Sequence, residues 1–259
     1  MTSLRHSLKL KKGGVISLVG AGGKTSLMFR LARELSRQGA AVLSTTTTKI
    51  YTPSRKQSSV VMVSESASAL ALEAREILRR NTHISAGSRL IHFQNKLKGF
   101  PPETIDAIWQ SGLFRWIVVE ADGAAGKPLK APAAHEPVIP QCTQWVIGIV
   151  SLEAVGKPLT EKWVFRPQLV SKITGLAQGA SITESAIAAV LMNANGIMKG
   201  FPAQAKRFAF LNQAESPERL EAGRRIAEMI CSHKATGFSG VLIGQTLFEP
   251  LIKAYYSAD

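Results

Sequence analysis

The stretch Val15-Ile16-Ser17-Leu18-Val19-Gly20-Ala21-Gly22-Gly23-Lys24-Thr25-Ser26 decides how the rest of the chain is read. A short apolar run rich in β-branched residues stops in glycines, a lysine and a hydroxyl residue follow, and a helical pattern begins at Leu27. Strand, glycine-rich turn and helix N-terminus, in that order, are the layout of a phosphate-binding loop. Glycines let the backbone approach phosphate oxygens and turn its N–H groups inward. Gly20, Ala21, Gly22, Gly23 and Ser26 are thus the expected cradle around Lys24 and Thr25. Lys24 brings a point charge to the β and γ phosphates, and the Thr25 hydroxyl is placed to ligate Mg²⁺.

The loop departs from the common pattern G-x-x-x-x-G-K-[ST], whose first glycine would fall on Leu18. It reads instead as a short form, G-x-x-G-K-[ST], of the kind found in the Mur ligases. The competing reading is a glycine-rich turn that binds nothing. The spacing of Lys24-Thr25 after the last glycine argues against it.

The 259 residues suffice for one large α/β domain over 1–259, and 45% are apolar, ample for a core. Lys plus Arg number 32 against 18 Asp plus Glu, a net charge of +14. So basic a chain points to an anionic partner or simply to a solvated basic surface. Cys142 and Cys231 follow no ligand spacing and read as buried free thiols in a reducing compartment. No apolar run approaches the ~20 residues of a membrane span. The run at Val15, after a basic lead-in, is too short for a signal-peptide core. The expectation is a cytoplasmic protein with no membrane contact.

Residues 1–13 read as a frayed basic lead-in, and strand one spans 14–20. A helix from Lys24 to about Gln38 buries Leu27, Leu31 and Leu35, with Gly39 as its cap. Strand two, 40–44, runs into Thr45-Thr46-Thr47-Thr48-Lys49. A β-α-β unit returns that segment beside the phosphate loop. Thr46, Thr47, Thr48 and Lys49 are therefore candidates to sense the γ-phosphate, Mg²⁺ or a co-substrate, unless the run merely finishes the strand. A polar loop at 52–59, a strand at 60–63, a helix from Ser64 to about Asn81 and a strand at 89–93 follow. Next come a basic turn through Lys96 and Lys98 and a helix from Pro101-Pro102 to Ser111. Trp116-Ile117-Val118-Val119 then delivers Glu120 and Asp122, both candidates with Lys24 for catalysis, binding Mg²⁺ or aligning an attacking water.

The irregular stretch from Gly126 to Pro137 carries Lys127, Lys130, His135 and Glu136 and reads as the substrate side of the site, a lid over the nucleotide. A plain crossover is the alternative. A strand at 145–151, a mainly helical insertion or subdomain at 160–200, a strand at 207–211, a helix from 216 to about 233, a strand at 240–244 and a short tail complete the chain. The expected fold class is α/β: a mostly parallel P-loop NTPase-like sheet with helices on both faces. Asn212-Gln213-Ala214-Glu215 falls where GTPases carry Asn-Lys-x-Asp for base recognition. Gln213 and Glu215 replace the lysine and the aspartate, so Asn212 and Glu215 are candidate base contacts while ATP versus GTP stays open.

Taken together, Leu-Val-Gly-Ala-Gly-Gly-Lys-Thr (18–25), Thr-Thr-Thr-Thr-Lys-Ile (45–50), Val-Glu-Ala-Asp-Gly-Ala (119–124), Lys-Ala-Pro (130–132) and His-Glu-Pro-Val-Ile-Pro (135–140) resemble the YqeC family. Its members are accessory proteins of selenium-dependent molybdenum hydroxylases. The resemblance implies a cytoplasmic NTP-binding protein that helps build or insert a molybdenum cofactor, with a molybdenum hydroxylase or a cofactor precursor as partner. From the residues themselves, an NTPase using ATP or GTP with Mg²⁺ stands beside two alternatives. One is an ATP-dependent ligase or kinase acting on a small anionic substrate. The other is a basic nucleic-acid-binding protein, disfavoured because no aromatic-basic stacking motif is evident.

Overall fold

The computed structural model describes residues 3–233, 235 and 237–258. In chain order its elements are α1 (Leu4–Ser7), β1 (Gly14–Gly20), α2 (Lys24–Ser36), β2 (Val42–Thr46), β3 (Lys49–Tyr51), β4 (Val61–Val63), α3 (Ala67–Leu78), β5 (His83–Gly87), β6 (Arg89–Ile91), β7 (Lys96–Lys98), α4 (Pro102–Gln110), β8 (Trp116–Glu120), β9 (Leu129–Lys130), β10 (Thr143–Ser151), β11 (Val164–Phe165), α5 (Pro167–Thr174), α6 (Glu184–Met192), β12 (Lys206–Asn212), α7 (Pro217–Ser232), β13 (Phe238–Gly244) and β14 (Ile252–Ser257). Nine strands form one sheet in the order β14-β13-β12-β10-β1-β8-β2-β5-β4. Every pairing in it is parallel except β13 with β14.

All seven residues of β1 are buried, as a strand covered on both faces requires. Alternate residues go to opposite faces. Val15 and Val19 of β1 join Ile117 and Val119 of β8 and Ala209 and Leu211 of β12 on one face, where α3, α4, α5, α6 and α7 contribute to the core. Ile16 and Leu18 join Trp116, Val118, Phe208 and Phe210 on the other, under α2 and α1. That second face has fewer helices over it, and the bulky aromatics of β8 and β12 fill it. In the 160–200 segment, α5 packs on α6 and α6 on α7. Leu191 and Met198 also close over Gly148 of β10.

Several elements differ from the sequence expectation. The basic lead-in is anchored: Ser3 caps α1, the Glu34 carboxylate accepts from the Leu4 and Arg5 backbone N–H groups, and Leu4, Leu8 and Leu10 are buried. Strand two starts at Val42, because Ala40 and Ala41 finish the turn and the Ala41 carbonyl accepts from Arg115 and Trp116. Thr45 and Thr46 consequently lie inside the strand. The segment around Lys96 and Lys98 is a strand, β7, flanked antiparallel by β3 and β6 in a separate three-stranded sheet. The strand β5 and the antiparallel edge strand β14 have no counterpart in the sequence reading. Both cysteines are free and half-buried. Among the described residues no helix is long and apolar enough to cross a membrane.

Candidate functional site

Parallel strands put their C-terminal ends on one edge, and ligands of such sheets sit there. On this edge the chain leaves β1 at Gly20 and enters α2 at Lys24 with Gly23 as the residue before the helix. Gly20 (φ +99°) and Gly23 (φ +130°) hold conformations that side-chain-bearing residues rarely adopt. A Cβ at Gly20 would stand 2.2 Å from the Ile149 carbonyl oxygen, and one at Gly23 2.1 Å from Asn212 Nδ2. The loop is thus clamped between β10 and the end of β12, with backbone N–H groups at a helix start, the geometry of an anion cradle.

Lys24 is 4% exposed. Its Nζ donates to the Gly20 carbonyl at 2.5 Å and lies 3.1 Å from Asp122 Oδ1 and 3.9 Å from Glu120 Oε1. The Thr25 hydroxyl donates to Glu120 Oε2 at 2.7 Å. Burial pushes the Glu120 carboxyl above its usual range; Lys24 and the Thr25 hydroxyl oppose that rise, and Asp122 adds to it. Asp122 is fully buried behind the loop, accepting from the Gly20 N–H at 3.0 Å. Glu120, unlike Asp122, reaches the wall of the adjacent cleft.

From Asp122 a row of buried charges of alternating sign continues outward. Lys130 Nζ, fully buried, lies 2.9 Å from Asp122 Oδ2, 2.7 Å from Glu136 Oε2 and 2.6 Å from the Gly123 carbonyl oxygen. Arg166, just before α5, closes the row on Glu136 with contacts of 2.6 and 3.2 Å. Burial alone would raise the Glu136 carboxyl, but hydrogen bonds from Arg166 and then Lys130 outweigh it and bring it down to about 2. Arg166, which sequence reasoning missed, lies 30 residues from Glu136, and no local pattern announces that pairing.

A cleft of about 950 Å³ opens beside the loop. Gly22 to Ser26, Thr47 to Tyr51, Lys96, Lys98, Glu120, the 123–127 turn, His135 and Glu136 line it. A smaller hollow of about 190 Å³ shares Gly22, Gly23, Ser26 and Gly126 and is otherwise lined by Pro128, Glu153, Asn212, Gln213, Glu215, Thr246 and Leu247. The candidate residues divide between these places. Thr47, Thr48, Lys49, Lys127, His135 and Glu136 reach the large cleft, whereas Thr46 and Lys130 do not. The Thr46 hydroxyl instead donates to the Glu120 carbonyl at 2.7 Å, and that of Thr47 donates to the Val138 carbonyl at 2.8 Å. Lys127 Nζ donates to the Lys162 carbonyl at 3.2 Å.

Asn212 borders the hollow, but its amide already has partners. It donates to the Gly22 carbonyl at 2.7 Å and to the Thr246 hydroxyl at 3.3 Å, and accepts from the Thr246 N–H at 3.0 Å. Glu215 is exposed, and its ion-pair contact among the described residues is Arg219 at 4.0 Å. Sequence reasoning also missed Tyr51, Lys96 and Lys98 as cleft residues. Their signal was the alternation of Lys-Ile-Tyr (49–51) and Lys-Leu-Lys (96–98), each a three-residue strand. Among the described residues there is no group of three or more His, Cys, Asp or Glu side chains able to hold a metal. The Thr25 hydroxyl and Glu120 carboxylate nonetheless form an oxygen pair at the cleft wall. Such a pair suits Mg²⁺, which keeps waters and shares phosphate oxygens rather than sitting in an all-protein cage.

Fold and site together define an α/β protein with a strand–glycine loop–helix junction at the carboxyl edge of a mostly parallel sheet. Residues 16–168 match the family described as "YqeC protein". The protein YqeC of Escherichia coli (strain K12) is 35% identical over 227 residues, covering 86% of this chain and 85% of that one. The chain belongs to the YqeC family. Among solved structures, chloroplast FtsY from Physcomitrella patens aligns over 94% of this chain and 63% of its own, with 11% identity and a TM-score of 0.36.

Proposed function

We propose that this protein binds a nucleoside triphosphate with Mg²⁺ at the loop from Gly20 to Ser26 and hydrolyses it. The observation that carries the reading is the convergence of Lys24, Thr25 and Glu120 where β1 meets α2, with the Lys24 ammonium between the Gly20 carbonyl and the two acids. Phosphates would lie over the loop N–H groups. Thr25 and Glu120 would hold Mg²⁺, which supplies charge neutralisation on the phosphate oxygens. Asp122 is best placed to position Lys24 and the Gly20 N–H. The base, ATP's or GTP's, would occupy the smaller hollow, with Glu215 free to accept base N–H groups and Leu247, 67% exposed, free to pack against the ring. Thr47, Thr48 and Lys49 face the γ-phosphate side of the loop.

Family membership supports the wider role: an accessory factor, in the cytoplasm, for maturation of selenium-dependent molybdenum hydroxylases, acting on a cofactor precursor or on the hydroxylase itself. A phosphoryl-transfer or ligase reaction is the second reading, favoured by the size and basic lining of the large cleft. Calorimetric titration of ATP and GTP with Mg²⁺ into the wild type and Lys24→Ala tests the assignment. Losing a charge-assisted contact predicts affinity weaker by about 2–3 kcal/mol. Equal binding by both proteins would remove the loop from the site.

A further inference from the structure

The small sheet β3–β7–β6 faces the phosphate loop across the large cleft, and its two faces differ in character. Ile50 and Leu97 are buried and Leu90 packs against the same core. Residues in register on an antiparallel ladder share a face. Arg89 pairs with Lys98 and Lys98 with Lys49, so three cations stand in a row across three strands. Tyr51 pairs with Lys96 in the next row, with Lys96 Nζ 5.5 Å from the Tyr51 ring centroid. Like charges directly opposite one another destabilise a sheet. Neither carboxylate of the cleft wall relieves them: Glu120 is engaged by Thr25 and Lys24, and Glu136 by Lys130 and Arg166. Tyr51 remains 70% exposed although it borders the cleft.

We propose that this face is a second anion subsite, taking a phosphorylated small molecule with a planar ring. The assignment rests on the reading of the glycine loop as the nucleotide site, because it makes the cleft a place where two ligands meet. Lys49, Lys96 and Lys98 hold the phosphate of the second ligand as point charges. Tyr51 offers a flat apolar surface to its ring. The occupant is a small molecule rather than a nucleic-acid strand because the face forms one wall of a concavity, and about 950 Å³ lies within the size range of small-molecule sites. The subsite brings that ligand to the γ-phosphate side of the loop, beside Thr48 and Glu120, which is where a phosphoryl acceptor or an activated acid must lie.

Flavin mononucleotide is a suitable probe, a phosphate joined to a flat ring whose fluorescence is quenched by electron transfer from a stacked tyrosine or tryptophan. It is titrated into the full chain with Mg²⁺ and a saturating non-hydrolysable triphosphate, using the ATP and the GTP analogue in separate runs. The expected result is binding alongside the nucleotide, weakened at least about ten-fold in Lys96→Ala/Lys98→Ala while nucleotide affinity stays within about two-fold. Tyr51→Ala should abolish the quenching and Tyr51→Trp preserve it. Lys96→Gln/Lys98→Gln, which keeps the side-chain stems over the small sheet and relieves the facing charges, should reproduce the loss with a melting temperature that does not fall. Unaltered flavin affinity in both double variants overturns the proposal, as does one-for-one displacement of flavin by the nucleotide. A thymidine single strand that binds more tightly than flavin through the same lysines overturns the small-molecule occupant. Failure of the wild type to bind any triphosphate sinks the glycine-loop reading and the two-ligand cleft with it, whereas a flavin arm that fails while nucleotide binds sinks only the subsite.

Discussion

Replacing Lys130 by Met tests whether the buried row of charges holds the site together. The Lys130 side chain is fully buried, with its ammonium against Asp122, Glu136 and the Gly123 carbonyl. Methionine keeps most of the stem volume, so the change removes charge and hydrogen bonds with little cavity. Asp122, with no exposure, is then left with Lys24 and the Gly20 N–H alone. Breaking a buried ion pair by removing one partner costs about 3–5 kcal/mol. At about 2–4 °C per kcal/mol for a chain of this size, the melting temperature falls by roughly 6–20 °C. Adding Glu136→Gln removes the second carboxylate that lost the ammonium, and Arg166, a fifth exposed, turns to solvent. The double variant should therefore recover at least about 1 kcal/mol relative to additivity. Urea unfolding of the four proteins in the cycle measures both quantities. A single-variant loss under about 1 kcal/mol, or strict additivity, would refute the account.

Acid should unfold the protein in two stages. Burial first, then Arg33, lowers His83 to about 4 from 6.5, so its contribution is complete above pH 6.5 and drains as pH falls toward 4. Glu136, at about 2 against 4.5, contributes fully above about pH 4.5 and loses that contribution as pH falls toward 2. In stability measured against pH, His83→Gln should flatten the upper leg and Glu136→Gln the lower one. Gly23→Ala forces a side chain onto φ +130° and against Asn212, so we expect about 1–3 kcal/mol of lost stability by urea titration, with weaker triphosphate binding by calorimetry. Glu215→Ala should change the ratio of GTP to ATP affinity by calorimetry; an unchanged ratio would make the corner after β12 a turn only.

Much of the sheet was readable because it is parallel and buried: β1, β8, β10, β12 and β13 are near-continuous apolar runs, each stopping at a glycine or a polar residue. The helices α2 and α7 carried their own punctuation, Leu27, Leu31 and Leu35 in one case and Ser216-Pro217 in the other. Of the small sheet, β6 falls within the strand expected at 89–93, but β3 and β7 were hidden because three residues per strand give too short a sample of period two, and the lysines of β7 read as a turn. β5 was hidden by His83 and Ser85, polar residues whose partner is Ser44 on the neighbouring strand. In the site, the loop and the acids at 120 and 122 were legible as local motifs. Their division of labour was not, because it depends on contacts across the fold. Asp122 meets Gly20 over 102 residues, and Asn212 meets Gly22 over 190. Reading Thr46 as a γ-phosphate sensor assumed a strand ending at 44; β2 runs through Thr46, which spends its hydroxyl on the Glu120 carbonyl.

The place of β1 between β8 and β10 sets a timetable for synthesis. Its side-chain and backbone partners lie 102 residues downstream at Asp122 and 126 downstream at Thr143. At about 5–20 residues per second on the ribosome, the strand waits on the order of 10 s for both flanks. The clamp on the loop comes later still, because Asn212 reaches Gly22 only when β12 has emerged. During that interval a seven-residue apolar strand has no ladder partner and is a natural client for chaperones. Capture on a triphosphate resin therefore reports on translation itself: nascent chains stalled before residue 212 should pass through, and those stalled well beyond it should be retained.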